Sequence, residues 1–216
     1  MKHLKPYQLY ESQSIINASI ENAINNNNIE LFKDLTIQYN DMVDYESIVD
    51  RIWDDYDYRL LSFFKHIPLE YKTHITELSY NDIGIKHQVD ISGLPYLETL
   101  NCYLNDLTEL DVSKNTMLKF ISCDNNNLTT LDISNNPELV YLSCYNNELT
   151  ALDISKNTKL KELLSGSNEI TSLDVSNNPK LNTLYIDNNN LTTLDISNNP
   201  KLEHMSYDRD KVTINK

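Results

Sequence analysis

The chain has 216 residues, a formal net charge of −14 and a sequence pI near 4.6. This acidity argues against direct binding to nucleic-acid phosphates, and no apolar run approaches the roughly 18 residues that a membrane-spanning helix needs. The three glycines form no phosphate-binding loop, so no cofactor is expected.

The amino terminus and the cysteines predict a cytoplasmic protein. No apolar block of about 7–15 residues follows the first lysines, so a cleaved signal peptide is not expected, although delivery without one stays open. The cysteines Cys102, Cys123 and Cys144 are odd in number and form no CxxC pair. That usage is typical of a reducing compartment rather than of a disulfide framework.

Residues 1–74 predict a helical region. Apolar residues recur there at helical spacing in three segments, the last of which spans residues 44–66. This last segment carries a cluster of acids around Trp53, which is either a second contact site or a solvated helix face.

From residue 75 onward a repeat of 21 residues dominates the sequence. The phrase LTTLDISNNP begins at Leu128 and again at Leu191, three periods apart. Five regular units cover residues 97–201, and degraded units occupy residues 75–96 and 202–216. The unit reads LxxLxCxxNxLTxLDISxNxx, and each of its two similar halves contains an apolar-x-apolar stretch with strand-like alternation.

The first half of the unit fits the pattern LxxLxLxxN/CxL. In this respect the chain resembles bacterial leucine-rich repeat proteins, in particular a 21-residue subclass with two nested LxxLxLxxN halves per repeat. The resemblance implies a solenoid and a binding role without naming a partner.

The predicted fold class is α+β, with a helical cap over residues 1–74 and a parallel-β leucine-rich-repeat solenoid over residues 75–216. Because both halves of the unit are short and extended, we expect strands on both sides and little curvature. The ends of a solenoid need covering, so the helices should cap the first coil and the final residues, HMSYDRDKVTINK, should form a short polar cap.

Three sets of recurring residues are interpreted as scaffold. The asparagine that ends each half is expected to bond backbone groups at a turn. The aspartate that recurs from Asp111 to Asp195 is expected to bond the serine two residues later rather than a cation. The cysteines are expected to fill the core as small buried thiols rather than to bind zinc, so no metal is predicted.

The outward residues of the two halves differ in how much they change between units. In the second half they are nearly constant, whereas in the first half they vary freely and include aromatic residues among acids. Exposed tyrosines predict a protein-binding surface, although β structure alone also favours aromatic residues. The predicted partner-binding residues are Tyr103, Phe120, Asp124, Tyr141, Tyr145, Glu162, Leu164, Tyr185, Asp187, His204 and Asp208.

These features predict a non-catalytic protein-protein interaction module, most naturally an inhibitor or immunity protein that neutralises a bacterial toxin. The partner is another protein, for which a basic toxin is one candidate, and neither nucleic acid nor a membrane is expected. One alternative is a secreted effector or adaptor that engages a host or cellular protein. Another is an enzyme whose repeats select substrate, which is disfavoured because residues 1–74 contain no cysteine and their histidines show no site-like spacing.

Overall fold

The computed structural model describes residues 75–82, 84–86 and 90–216. The chain divides into two units, Met1–Thr73 and His74–Lys216, and all of these residues belong to the second. The predicted helical cap and the acidic cluster around Trp53 lie outside the described residues. Within the described part, no helix is long and apolar enough to cross a membrane.

The repeats fold into a parallel β-solenoid in which each unit makes one coil. The first half of every coil contributes a strand to one continuous parallel sheet, which we call the first wall, and the second halves form the second wall. The first-wall strands are β1 (Glu77–Ser79), β2 (Thr99–Asn101), β3 (Phe120–Ser122), β4 (Tyr141–Ser143), β5 (Glu162–Leu164), β6 (Thr183–Tyr185) and β8 (His204–Ser206). The second wall contains β7 (Thr193–Asp195) and β9 (Thr213–Asn215), which pair in parallel.

The core lies between the two walls. The middle residue of each first-wall strand points inward, so that Leu100, Ile121 and Leu142 stand in register and are fully buried. Apolar residues of the second halves, such as Leu128 and Ile133, are buried against them. Because strand residues alternate faces, the residues that flank each inward position form columns on the outer surface of the first wall.

Two columns of buried asparagines form hydrogen bonds with backbone groups at the turns. Asn126 Nδ2 donates to the carbonyl oxygens of Cys102 and Cys123 at 3.0 and 3.1 Å, while its Oδ1 accepts a hydrogen bond from the Leu107 amide at 3.0 Å. In a second column, Asn115 to Asn199, each Nδ2 bonds two carbonyl oxygens. The predicted role of these asparagines at the turns is confirmed.

The prediction of short strands on both sides is wrong for most of the second wall, where the described residues form only β7 and β9. Elsewhere the backbones of neighbouring coils share one direct hydrogen bond near the start of this wall, as between Glu148 N and Leu128 O at 2.9 Å. Alternating burial turns the leucines inward, but it does not by itself bring adjacent backbones to the spacing of about 4.8 Å that a ladder requires. Weak curvature, which assumed equal spacing on both walls, stays a prediction.

The terminal coils depart from the period of 21. Leu78 of β1 pairs with Leu100, which makes the first coil 22 residues long. This shift brings Tyr80 into line with Cys102, and the Tyr80 side chain is fully buried. At the other end, the segment predicted both as a degraded repeat unit and as a polar cap supplies β8 and β9, and it buries Val212.

Candidate functional site on the first wall

All eleven predicted partner-binding residues lie in first-wall strands or two residues beyond them. Tyr103, Tyr145, Tyr185 and His204 are exposed, whereas the other seven are half-buried. The parallel register brings these residues together on one surface, as the sequence predicted. Their role in binding stays a prediction.

An aromatic stack occupies the middle of the wall. The rings of Phe120 and Tyr141, which face each other across β3 and β4, are stacked with centroids 4.1 Å apart and planes within 4° of parallel. Such pairs add about 0.5–1.5 kcal/mol beyond the burial of their area. Burial also raises the pKa of the Tyr141 phenol, which therefore stays neutral at physiological pH.

Three further tyrosines, Tyr103, Tyr145 and Tyr185, each expose 38% of their surface. The Tyr145 ring lies over Gly166 of the next coil, because a Cβ on that glycine would be only 3.0 Å from Cε2 of the ring. The missing side chain at Gly166 therefore makes room for a tyrosine to lie across two coils.

The carboxylates of the wall differ in how much of their bonding capacity is already used. Asp124 accepts hydrogen bonds from the Ser122 hydroxyl at 3.0 Å, from the Tyr145 amide at 2.7 Å and from the Ser143 hydroxyl. The half-buried carboxylate of Glu162, by contrast, has no hydrogen-bond or ion-pair partner among the described residues. Asp124 is therefore part of the local structure, whereas Glu162 is free to bind.

The carboxylates near the carboxyl-terminal end of the wall are partly engaged. Asp208 accepts a hydrogen bond from the Asn188 amide at 3.1 Å and lies 3.8 Å from the Lys211 ammonium. Asp187 accepts a hydrogen bond from the Asn188 side chain at 3.3 Å.

The second wall uses its acids differently. Asp132 Oδ1 accepts a hydrogen bond from the Ser134 amide at 2.9 Å, and the same bond recurs in the other regular coils. Hydrogen bonds from this serine lower the pKa of the aspartate. The predicted local bonding is confirmed, and among the described residues no group of three or more His, Cys, Asp or Glu side chains is placed to hold a metal ion.

A shallow cavity of about 340 Å³ also lies on the second wall. Asp174 and Asp195 contribute to its lining, together with Leu173 and Leu194. Both carboxylates already accept serine amides at 2.9 Å, so their bonding capacity is partly used by their own coils.

The three cysteines are fully buried free thiols, as predicted. Burial raises the pKa of Cys102 to about 12 and also raises the pKa values of Cys123 and Cys144. Because the thiolate is the reactive form, these cysteines are inert core residues in the folded protein.

Leu104 is an exposed first-wall residue outside the predicted set. This residue exposes 46% of its surface and has a positive φ of 57°. The equivalent residues of the following coils are Asn125, Asn146, Ser167 and Asn188, which share this left-handed conformation. A leucine in a column of asparagine and serine was the available signal, because leucine adopts positive φ at a higher energetic cost than asparagine does.

Comparisons with known proteins agree with the observed fold. Residues 124–137 and 187–203 match the family described as leucine-rich repeat. The functional domain of InlJ from Listeria monocytogenes, which includes a cysteine ladder, is 35% identical with a TM-score of 0.62, and the match covers 66% of this chain and 32% of that chain. A leucine-rich repeat protein of Leptospira interrogans is 24% identical with a TM-score of 0.62, covers 69% of this chain and 40% of that chain, and shows the fold alone.

A chain of the LRIM1/APL1C complex is 25% identical with a TM-score of 0.53, and the match covers 60% of this chain and 26% of that chain. The matches thus span less than half of each of these three structures. A search of curated proteins found no match.

The 21-residue unit fits the subclass of leucine-rich repeats with two nested halves per repeat. The observed solenoid and the family match show that the described repeats form a leucine-rich-repeat fold, and the chain is similar to the bacterial protein InlJ, which shares that fold.

Proposed function

We propose that this chain is a non-catalytic protein-binding module that recognises a protein partner through the first wall. The observation that carries the proposal is the contrast between the walls, since the first wall varies nearly all its outward residues and displays tyrosines, whereas the second wall keeps its aspartates and threonines and has no outward aromatic residue among the described coils. Tyrosine offers a large contact area and a polar tip at low entropic cost, which favours its use at interfaces.

The fold and the buried thiols support a binding role. Leucine-rich repeat solenoids are typical protein-protein interaction modules, and one of the similar chains belongs to the LRIM1/APL1C complex. The cysteines are buried with raised pKa values, which leaves them without the thiolate that a nucleophile needs.

The more specific form of the proposal is an inhibitor or immunity protein that neutralises a bacterial toxin inside the producing cell. Blocking a toxin requires only a rigid complementary surface, and this chain carries a net charge of −14. Such a charge attracts a basic partner and accelerates its association. Recovery of the chain outside the producing cell would contradict this form and favour a secreted effector or adaptor.

Replacing Tyr141 and Tyr185 together by alanine tests the binding wall. If both are central contacts worth about 2 kcal/mol each and their effects add, capture of the natural partner should weaken by roughly 700-fold. The measurement is affinity capture from native lysate, followed by titration of the protein that binds stoichiometrically.

The matched control replaces Thr129 and Thr150, two exposed second-wall residues, by alanine. This variant should keep full affinity, and thermal unfolding should show that both variants are folded. Unchanged capture by the tyrosine variant, or an equal loss in the threonine variant, would exclude the first wall as the binding surface.

A further inference from the structure

We propose that Tyr141 and Glu162 form a slot for an arginine side chain of the protein partner. This inference rests on the proposed function, because the slot lies on the first wall, and it names the chemistry that the partner presents there.

The first point is the charge of the wall. Across the seven described first-wall strands and the positions two residues beyond them, the outward residues include no lysine and no arginine. Their acids are Glu77, Asp124, Glu162, Asp187 and Asp208. A complementary partner therefore contributes the cations.

The second point is the availability of the carboxylates. Asp124 already accepts three hydrogen bonds, and Asp208 is held by Asn188 and Lys211. Glu162 is half-buried without a partner among the described residues. A carboxylate that has lost part of its hydration gains more from a new cation than a carboxylate that is fully solvated or already paired.

The third point is the neighbour of Glu162. Phe120 covers one face of the Tyr141 ring at 4.1 Å, so the other face is turned toward β5, where Glu162 is the residue in register with Tyr141. A planar cation that lies on this face can extend the aromatic stack and reach the carboxylate at the same time. Glu77 differs because its register partner is Thr99, which offers no ring.

The requirement for a flat cation selects arginine over lysine. A guanidinium stacks on an aromatic ring and donates two parallel hydrogen bonds to a carboxylate, whereas an ammonium is a more strongly hydrated point charge. Leu164, half-buried on the same strand as Glu162, offers apolar contact for the methylene groups of the arginine.

The test is an NMR titration of the full chain with the capped tripeptide acetyl-Gly-Arg-Gly-amide. We expect saturable shifts at the Glu162 amide and the Tyr141 ring. Binding should be at least about threefold weaker when lysine replaces arginine, and roughly tenfold weaker when the neutral isostere citrulline replaces it. Equal binding of the three peptides, or no saturable shift at these positions, would overturn the proposal.

The variant Glu162→Gln should lose the preference for arginine over citrulline. The control Glu138→Gln removes a carboxylate that pairs with Lys159 and should leave that preference intact. An arginine preference that survives in Glu162→Gln would also overturn the slot. If the tyrosine variant loses the natural partner while the peptides show no arginine preference, the slot is wrong and the binding wall stands. If the peptides show the preference while the tyrosine variant keeps the partner, the binding wall is wrong, and so is the assignment of the slot to that partner.

Discussion

The two walls of the solenoid come from two similar halves of one repeat, yet they differ in how regularly their polar side chains bond within the protein. On the second wall, each strand-position aspartate bonds the amide of a serine in its own coil, as Asp132 does with Ser134. On the first wall, the outward side chains of Phe120 and Glu162 make no local hydrogen bond among the described residues, whereas Tyr141 bonds Ser143 two residues later. The bond that recurs in every regular coil is typical of scaffold, whereas the first wall combines engaged side chains such as Asp124 with side chains such as Glu162 that are available to a partner.

The two asparagine columns differ in a similar way. In the column beside the first wall, Asn147 Oδ1 accepts a hydrogen bond from the Leu128 amide at 3.1 Å, and its Nδ2 bonds carbonyl oxygens that include Cys123 O at 3.0 Å. In the other column, Asn157 Nδ2 bonds two carbonyl oxygens, and its Oδ1 has no hydrogen-bond partner within the described structure. The first column therefore joins more backbone groups per residue.

The largest effect that we expect comes from removing these amides. Asn147→Ala should lower the free energy of unfolding by about 3–4 kcal/mol, because it leaves a buried amide and several carbonyl oxygens without their bonds. Asn157→Ala, which loses fewer bonds, should cost about 2 kcal/mol. Urea unfolding of the two variants measures the difference, and equal losses would show that the two columns contribute alike.

A smaller effect is expected at Leu104, whose left-handed backbone is unfavourable for leucine. Leu104→Asn should stabilise the protein by about 1 kcal/mol, because asparagine tolerates that conformation at lower cost. The reciprocal change, Asn146→Leu, places leucine at the equivalent position of another coil and should destabilise by about the same amount. Thermal unfolding measures both.

If Leu104→Asn instead lowers the melting temperature, packing of the leucine outweighs its backbone cost. If the variant is stabilised as expected, Leu104 lowers the stability of the native protein. Exposed residues that carry such a cost are candidates for function, and Leu104 adjoins the exposed Tyr103.

Much of the first wall could be predicted because its period is regular. Once Leu100, Ile121 and Leu142 are aligned at intervals of 21 residues, strand alternation assigns the outward columns without further information. The predicted site residues therefore share one surface. What alignment could not supply is their bonding, such as the difference between the occupied carboxylate of Asp124 and the free one of Glu162.

Two sequence-based predictions failed, one where the repeat length changed and one where alternating apolar residues did not form a strand. The extra residue of the first coil hid the alignment of Tyr80 with Cys102. On the second wall, the same apolar alternation predicted strands throughout, but only β7 and β9 form a ladder in the described structure. Side-chain pattern reports which residues face the core, whereas a ladder depends on the distance between neighbouring backbones, which the pattern does not encode.

The smallest effect that we expect concerns the charge of the second-wall aspartates. Serine hydrogen bonds lower the pKa values of Asp132, Asp153 and Asp174. A lowered folded-state pKa stabilises the protein above the unfolded-state pKa, near 3.9, and this contribution is lost as the pH falls through the folded-state value.

Replacing all three aspartates by asparagine keeps an oxygen acceptor for each serine amide but removes the titration. The melting temperature should therefore fall less steeply between about pH 4 and pH 2 in the variant than in the wild type. Parallel pH profiles would show that the serine bonds do not depend on charge, and the second wall would then be held by its geometry alone.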